Sequence, residues 1–144
     1  MRKFVVPFDN SESSKAALEH ALMLARLIGN TELHIVTAHE SAYAAASDYE
    51  FQPLETLRGA LDRQSESILL FAREKAATAG VPHKCQVLTG SAANAIASYA
   101  NEVGCEQIIM GTQGRGAVGL LLIGSVAQQV VHLAKVPVTL VKGP

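Results

Sequence analysis

The sequence predicts an α/β domain, a parallel sheet with helices packed on both faces. Short apolar runs alternate with amphipathic helical patterns through five strands, which is the signature of βα units. A length of 144 residues fits a single domain, taken here as 1–144, at the usual ~150 residues per domain. A chain of this size buries roughly 68–70% of its unfolded surface, enough for a core on each side of a sheet. Crossovers between parallel strands are almost always right-handed, so strand order is the main freedom left.

Lys3 to Phe8 reads as a buried strand broken at Pro7. Asp9-Asn10-Ser11 then offers capping oxygens, with Glu12 three residues after Asp9, before a helix to about Ile28 whose inner stripe is Leu18, Ala21, Leu22, Ala25 and Ile28. Gly29-Asn30 ends that helix, and Glu32 to Ala38 is the second strand. His39 to Pro53 shows no periodicity; it is long for a connection in a compact domain and reads as a lid or a mobile segment. A long helix follows from about Leu54 to Ala79, with Leu57, Leu61, Ile68 and Ala72 on one face and Gly80 as its stop. Lys84 to Thr89 is the third strand, Ser91 to Val103 a short helix, and Cys105 to Met110 the fourth strand. A glycine-rich loop, Gly111 to Gly124, leads into a helix from Ser125 to Ala134, and Val136 to Lys142 closes as the fifth strand.

Composition excludes several function classes. Apolar residues are 49% and charged ones 17%, an ordinary soluble globular balance. Twelve Lys and Arg against thirteen Asp and Glu give a net charge of −1, so no global field steers the chain to nucleic acid or acidic lipid. Neither nucleic acid nor a membrane is an expected partner. The opening apolar run is too short for a signal peptide, and no stretch approaches the ~18 apolar residues of a membrane helix. Cys85 and Cys105 cannot form a disulfide scaffold; both lie in strand-like runs, read as small buried side chains, and suit a reducing cytoplasm. His20, His34, His39, His83 and His132 are isolated along the chain, so no metal set is expected from them. His39-Glu40 alone sits where a ligand would lie.

The loop from Gly111 to Ser125 carries the chemistry. Glycines let a backbone approach a phosphate closely, and a helix start at Ser125 presents unpaired N–H groups and a positive dipole end to an anion. After Glu106 the chain has no acidic side chain, only Arg115, Lys135, Lys142 and His132. A P-loop needs a lysine before its final Ser or Thr, and none precedes Ser125. Gly114-x-Gly116-x-x-Gly119 matches the dinucleotide fingerprint. It follows the fourth strand rather than the first, however, and no acidic residue stands ~20 positions on, so it is a decoy.

Gly111-x2-Gly114-x9-Gly124-Ser125, between a strand and a helix, matches the G-x2-G-x9-G-[S/T] signature and resembles the universal stress protein family. The opening Val6-Pro7-Phe8-Asp9-Asn10-Ser11 is similar to that family's V-P-x-D-x-S, and Gly124-Ser125-Val126 through Val136-Pro137-Val138 to its terminal helix and strand. The resemblance implies ATP binding on an open sheet of order 3-2-1-4-5. That order places the reversal between the first and fourth strands, where open α/β sheets hold ligands.

Residue by residue, the resemblance implies that Asp9 meets the ribose or, through Mg²⁺ or Mn²⁺, the phosphates. Pro7 and Phe8 would stand beside it in the same loop. Thr37 would offer backbone groups to the adenine edge, and Met110 and Gly111 would flank base and sugar. Gly114, Gly124, Ser125 and Val126 would surround the phosphates, with Arg115 added on charge grounds. Pro7 and Asp9 also read as a strand end and a helix cap, Met110 as core, and Ser91 as a cap. The resemblance further implies a homodimer through the strand Val136–Val141, whose apolar edge invites pairing.

No catalytic constellation is visible, and three functions stay open. The chain is a nucleotide-sensing module of the stress response, a slow ATPase or self-modifying phosphotransferase, or a chaperone-like stress protein with a vestigial site.

Overall fold

In a computed structural model describing residues 1–39, 54–113 and 123–144, the chain forms five strands and four helices among those residues. They are β1 (Arg2–Pro7), α1 (Glu12–Ile28), β2 (Thr31–His39), α2 (Leu54–Ala79), β3 (His83–Thr89), α3 (Ala92–Val103), β4 (Gln107–Gly111), α4 (Ser125–Leu133) and β5 (Val138–Val141). Strand order is β3-β2-β1-β4-β5 and every pairing is parallel, as the resemblance implied.

Alternation along each strand divides the core between the two faces. Phe4, Val6 and Phe8 pack with Leu33, Ile35 and Ile109 beneath α1 and α2. Val5, Val36, Ile108 and Met110 pack on the other face beneath α3 and α4. Strands buried on both faces read as continuous apolar runs, which is why their positions were legible.

Several expected details differ. Ile28, in the last turn of α1 and at the margin of its stripe, is 46% exposed. The buried line of α2 runs through Leu57, Ser65, Leu69, Ala72 and Ala76, while Leu61 and Ile68 sit half-buried beside it. Cys105 precedes β4 instead of opening it; it is buried, Cys85 is half-buried, and both thiols are free. β5 is shorter than expected because it starts after Pro137, whose carbonyl accepts from the Ile108 N–H at 3.0 Å. Of His39 to Pro53, residues 40–53 lie outside the described residues, and so does any lid there.

Candidate functional site

Strand order reverses between β1 and β4, so the loops leaving their C-terminal ends diverge there. Pro7 contributes directly. Phe8 donates its N–H to the Val36 carbonyl at 2.8 Å, and Glu106 donates to Lys3 at 2.9 Å. Even residues of β1 therefore face β2 and odd ones face β4. The N–H that Pro7 lacks is the one that would face β4. The β1–β4 register runs through Phe4↔Gln107 and Val5↔Ile108, short of Pro7.

Beyond Pro7 the chain turns tightly into α1. Asn10 adopts φ 70°, a conformation that asparagine tolerates, and the Ser11 N–H donates to Asp9 Oδ1 at 3.0 Å. Ser11, rather than Asp9, is the N-cap: its hydroxyl accepts from the Ser14 N–H at 3.2 Å. The Asp9 N–H in turn donates to Ser14 Oγ at 3.4 Å. Asp9 stays half-buried just beyond the C-terminal end of β1.

On the β4 side, Gly111 has no space for a side chain. A Cβ there would overlap Ser13 Oγ and lie 2.6 Å from the Ser13 carbonyl carbon. The Gln113 N–H donates to Ser13 Oγ at 3.2 Å, and the Ser13 hydroxyl also contacts the Gln113 carbonyl. Thr112 donates its N–H to Val141 at 3.0 Å and accepts from Gly124 N–H at 2.6 Å, which ties the two ends of the glycine loop together. Gly124 caps α4 without a side chain, and no acidic residue stands in that helix's first turn. Its N-terminus presents N–H groups and a positive dipole end with no competing carboxylate among its own residues.

The structure brings Asp9, Gly111, Gly124 and Ser125 to the β1–β4 end of the sheet. Ser125 and Val126 are exposed, and Gly124 is half-buried. Phe8 turns its side chain into the α1–α2 core and stacks on Phe71, ring centroids 5.8 Å apart. Met110 is buried beneath α3 and α4. Thr37 is buried, and its backbone faces β3 within the paired run Thr37↔Val87 to His39↔Thr89. Pro7 is buried as well. Gly114 and Arg115 lie outside the described residues. His39 pairs with Asp62 of α2 at 3.5 Å. Ser91 occupies the N-cap of α3, but its hydroxyl accepts from Asn94 Nδ2 at 3.0 Å instead of capping the backbone. A groove between α1 and α2, lined by Leu22, Met23, Leu27, Phe71 and Lys75, involves none of the predicted site residues.

Sequence reasoning missed Ser13 and Gln113, and also His34. That histidine is buried, with Nε2 2.8 Å from Glu32 Oε1 and Nδ1 2.8 Å from the Tyr99 hydroxyl. Burial pushes the Tyr99 phenol above its ordinary value, and Glu32 and Glu102 add to the shift.

The profile described as the Universal stress protein family matches residues 1–142. The chain belongs to the universal stress protein family. It is 34% identical over 142 residues to a universal stress protein of Thermus aquaticus, covering 98% of each chain. It is 30% identical to universal stress protein YxiE of Bacillus subtilis, covering 97% of this chain and 98% of that one. Among solved structures, hypothetical protein MJ0577 superposes with TM-score 0.86 at 24% identity, over 99% of this family member and 96% of that chain. A universal stress protein in complex with cAMP is similar at 25% identity and TM-score 0.71, over 99% and 98% of the two chains. An Arabidopsis thaliana family protein with AMP bound is similar at 21% identity and TM-score 0.75, over 100% and 93%.

Proposed function

We propose that this chain binds an adenine nucleotide, ATP first, at the C-terminal ends of β1 and β4, and acts as a cytoplasmic, homodimeric nucleotide-sensing module of the stress response. One observation carries the reading: the strand reversal brings Asp9 and the side-chain-free cap of α4, Gly124-Ser125, to the same end of the sheet. The relatives with bound AMP and cAMP support the ligand class.

In this reading the phosphates meet the first turn of α4 and the glycines of the loop, Gly114 among them, with Arg115 as the nearby cation. Asp9 serves the ribose or a divalent ion. Among the described residues no three His, Cys, Asp or Glu side chains gather to hold a metal. In this reading Asp9 is the protein carboxylate for Mg²⁺ or Mn²⁺ accompanying the phosphates. Phe8 and Met110, whose side chains are buried on opposite faces of the sheet, are proposed to meet the ligand only through their backbone. β5 is an outer strand of the sheet, half-buried at all four positions, and among the described residues its outer edge pairs with no strand; in this reading it meets a second copy. Among the described residues no helix is long and apolar enough to cross a membrane.

Acid extraction of the purified protein, followed by chromatography, tests the ligand. A co-purifying adenine nucleotide released unchanged supports sensing. Steady ADP production that disappears in Asp9→Ala moves the reading to a slow ATPase.

A further inference from the structure

We propose that Ser13 is a positioning residue for the nucleotide site, fixing the base of the glycine loop against the turn that carries Asp9. This rests on the nucleotide-binding reading above. It concerns a residue outside both the glycine signature and the opening V-P-x-D-x-S.

Ser13 is 6% exposed and stands in the first turn of α1, yet its hydroxyl is not spent on its own helix. It meets both backbone polar groups of Gln113, accepting from the N–H at 3.2 Å and contacting the carbonyl. Ser11 adds a donation to the same carbonyl at 3.3 Å. Gly111 and Gly143 close in on Ser13 from two other segments: a Cβ at Gly143 would lie 3.2 Å from the Ser13 nitrogen, and one at Gly111 would overlap its side chain.

A continuous bonded path follows. Asp9 N–H reaches Ser14, the residue next to Ser13; Ser13 holds Gln113; Thr112, beside Gln113, accepts from Gly124, the cap of α4. The carboxylate end of the crevice and the helix N-terminus that faces phosphate are thus linked at Gln113, where Ser13 holds both backbone groups and Ser11 adds a longer bond to the carbonyl. A ligand spanning both ends depends on that link. A ligand that stops at the sugar does not.

Ser13→Ala removes the hydroxyl while favouring helix at that position, so the domain folds. The wild type and the variant are titrated with ATP and with adenosine by calorimetry, and amide exchange is followed at Gln113 and at Val5 in the core. ATP affinity is expected to fall about tenfold in the variant, the worth of two modest hydrogen bonds. Adenosine affinity is expected to stay within about twofold and Val5 protection to stay unchanged, while Gln113 loses protection because exchange reports local opening. ATP binding equal to wild type overturns the proposal. Equal losses for ATP and adenosine also overturn it, leaving Ser13 a purely structural residue. A wild type that binds neither ligand defeats the nucleotide reading itself, and the role of Ser13 with it.

Discussion

Gly111→Ala tests how tightly α1 is keyed to the end of β4. The added Cβ would overlap Ser13 Oγ and stand 2.6 Å from the Ser13 carbonyl carbon, and the latter atom is backbone. Ordinary carbon contacts are ~3.5–4.0 Å, so the two elements must part by roughly 1 Å. Overpacking of this kind costs about 1–3 kcal/mol. The separation also strains the two Ser13–Gln113 bonds, each worth about 0.5–1.5 kcal/mol. Together the loss is about 2–6 kcal/mol, a Tm drop of about 7–20 °C for a domain of this size. Gly143→Ala is the control: its Cβ would meet Ser13 no closer than 3.2 Å, and its cost stays under about 1 kcal/mol. Urea denaturation of the nucleotide-free proteins measures both. A Gly111→Ala variant within about 1 kcal/mol of wild type, with an unchanged denaturant slope, refutes the packing argument.

Three further outcomes are expected. Tyr99→Phe leaves His34 Nδ1 without its 2.8 Å partner and costs about 1–2 kcal/mol by denaturation; no loss would mean that water replaces the hydroxyl. Burial pushes the Cys85, Cys105 and Tyr99 groups above their ordinary values of 9.0, 9.0 and 10.0. Their contribution is therefore fully present below those values and is lost as pH rises through the higher folded ones. Stability should hold from neutral pH to about 9 and then fall, and Cys105→Ala should soften the fall; an equally steep fall with both cysteines and Tyr99 replaced would contradict this. In the proposed site Gly114→Val fills space assigned to the phosphates, so ATP binding should vanish while the far-ultraviolet spectrum stays native; retained affinity would remove Gly114 from the site.

The fold was legible because it is written in local patterns. β1 and β2 are apolar on both faces, helix ends fall on glycines such as Gly29 and Gly104, and the glycine signature has fixed spacing. Strand order was not readable from these patterns and came from the family resemblance. Phe8 was partly readable: the period of two that buries Phe4 and Val6 sends its ring to the same side, toward Phe71. The backbone of Thr37 follows the same rule and faces β3; its adenine role was implied by the family resemblance and not by any pattern in the sequence. Ser13 could not be seen, since its partner lies one hundred positions away and a lone serine at a helix start reads as a cap. His34 and Tyr99, 65 positions apart, escaped for the same reason.

The central claim is that the β1–β4 crevice binds adenine nucleotide through its phosphates. Calorimetric titration of nucleotide-stripped wild-type protein with ATP, with and without Mg²⁺, tests it most directly. Saturable one-to-one binding that weakens when Asp9 is changed to alanine is the predicted result. No heat and no saturation under either condition would contradict the claim and leave the glycine loop a structural element of a stress protein with a vestigial site.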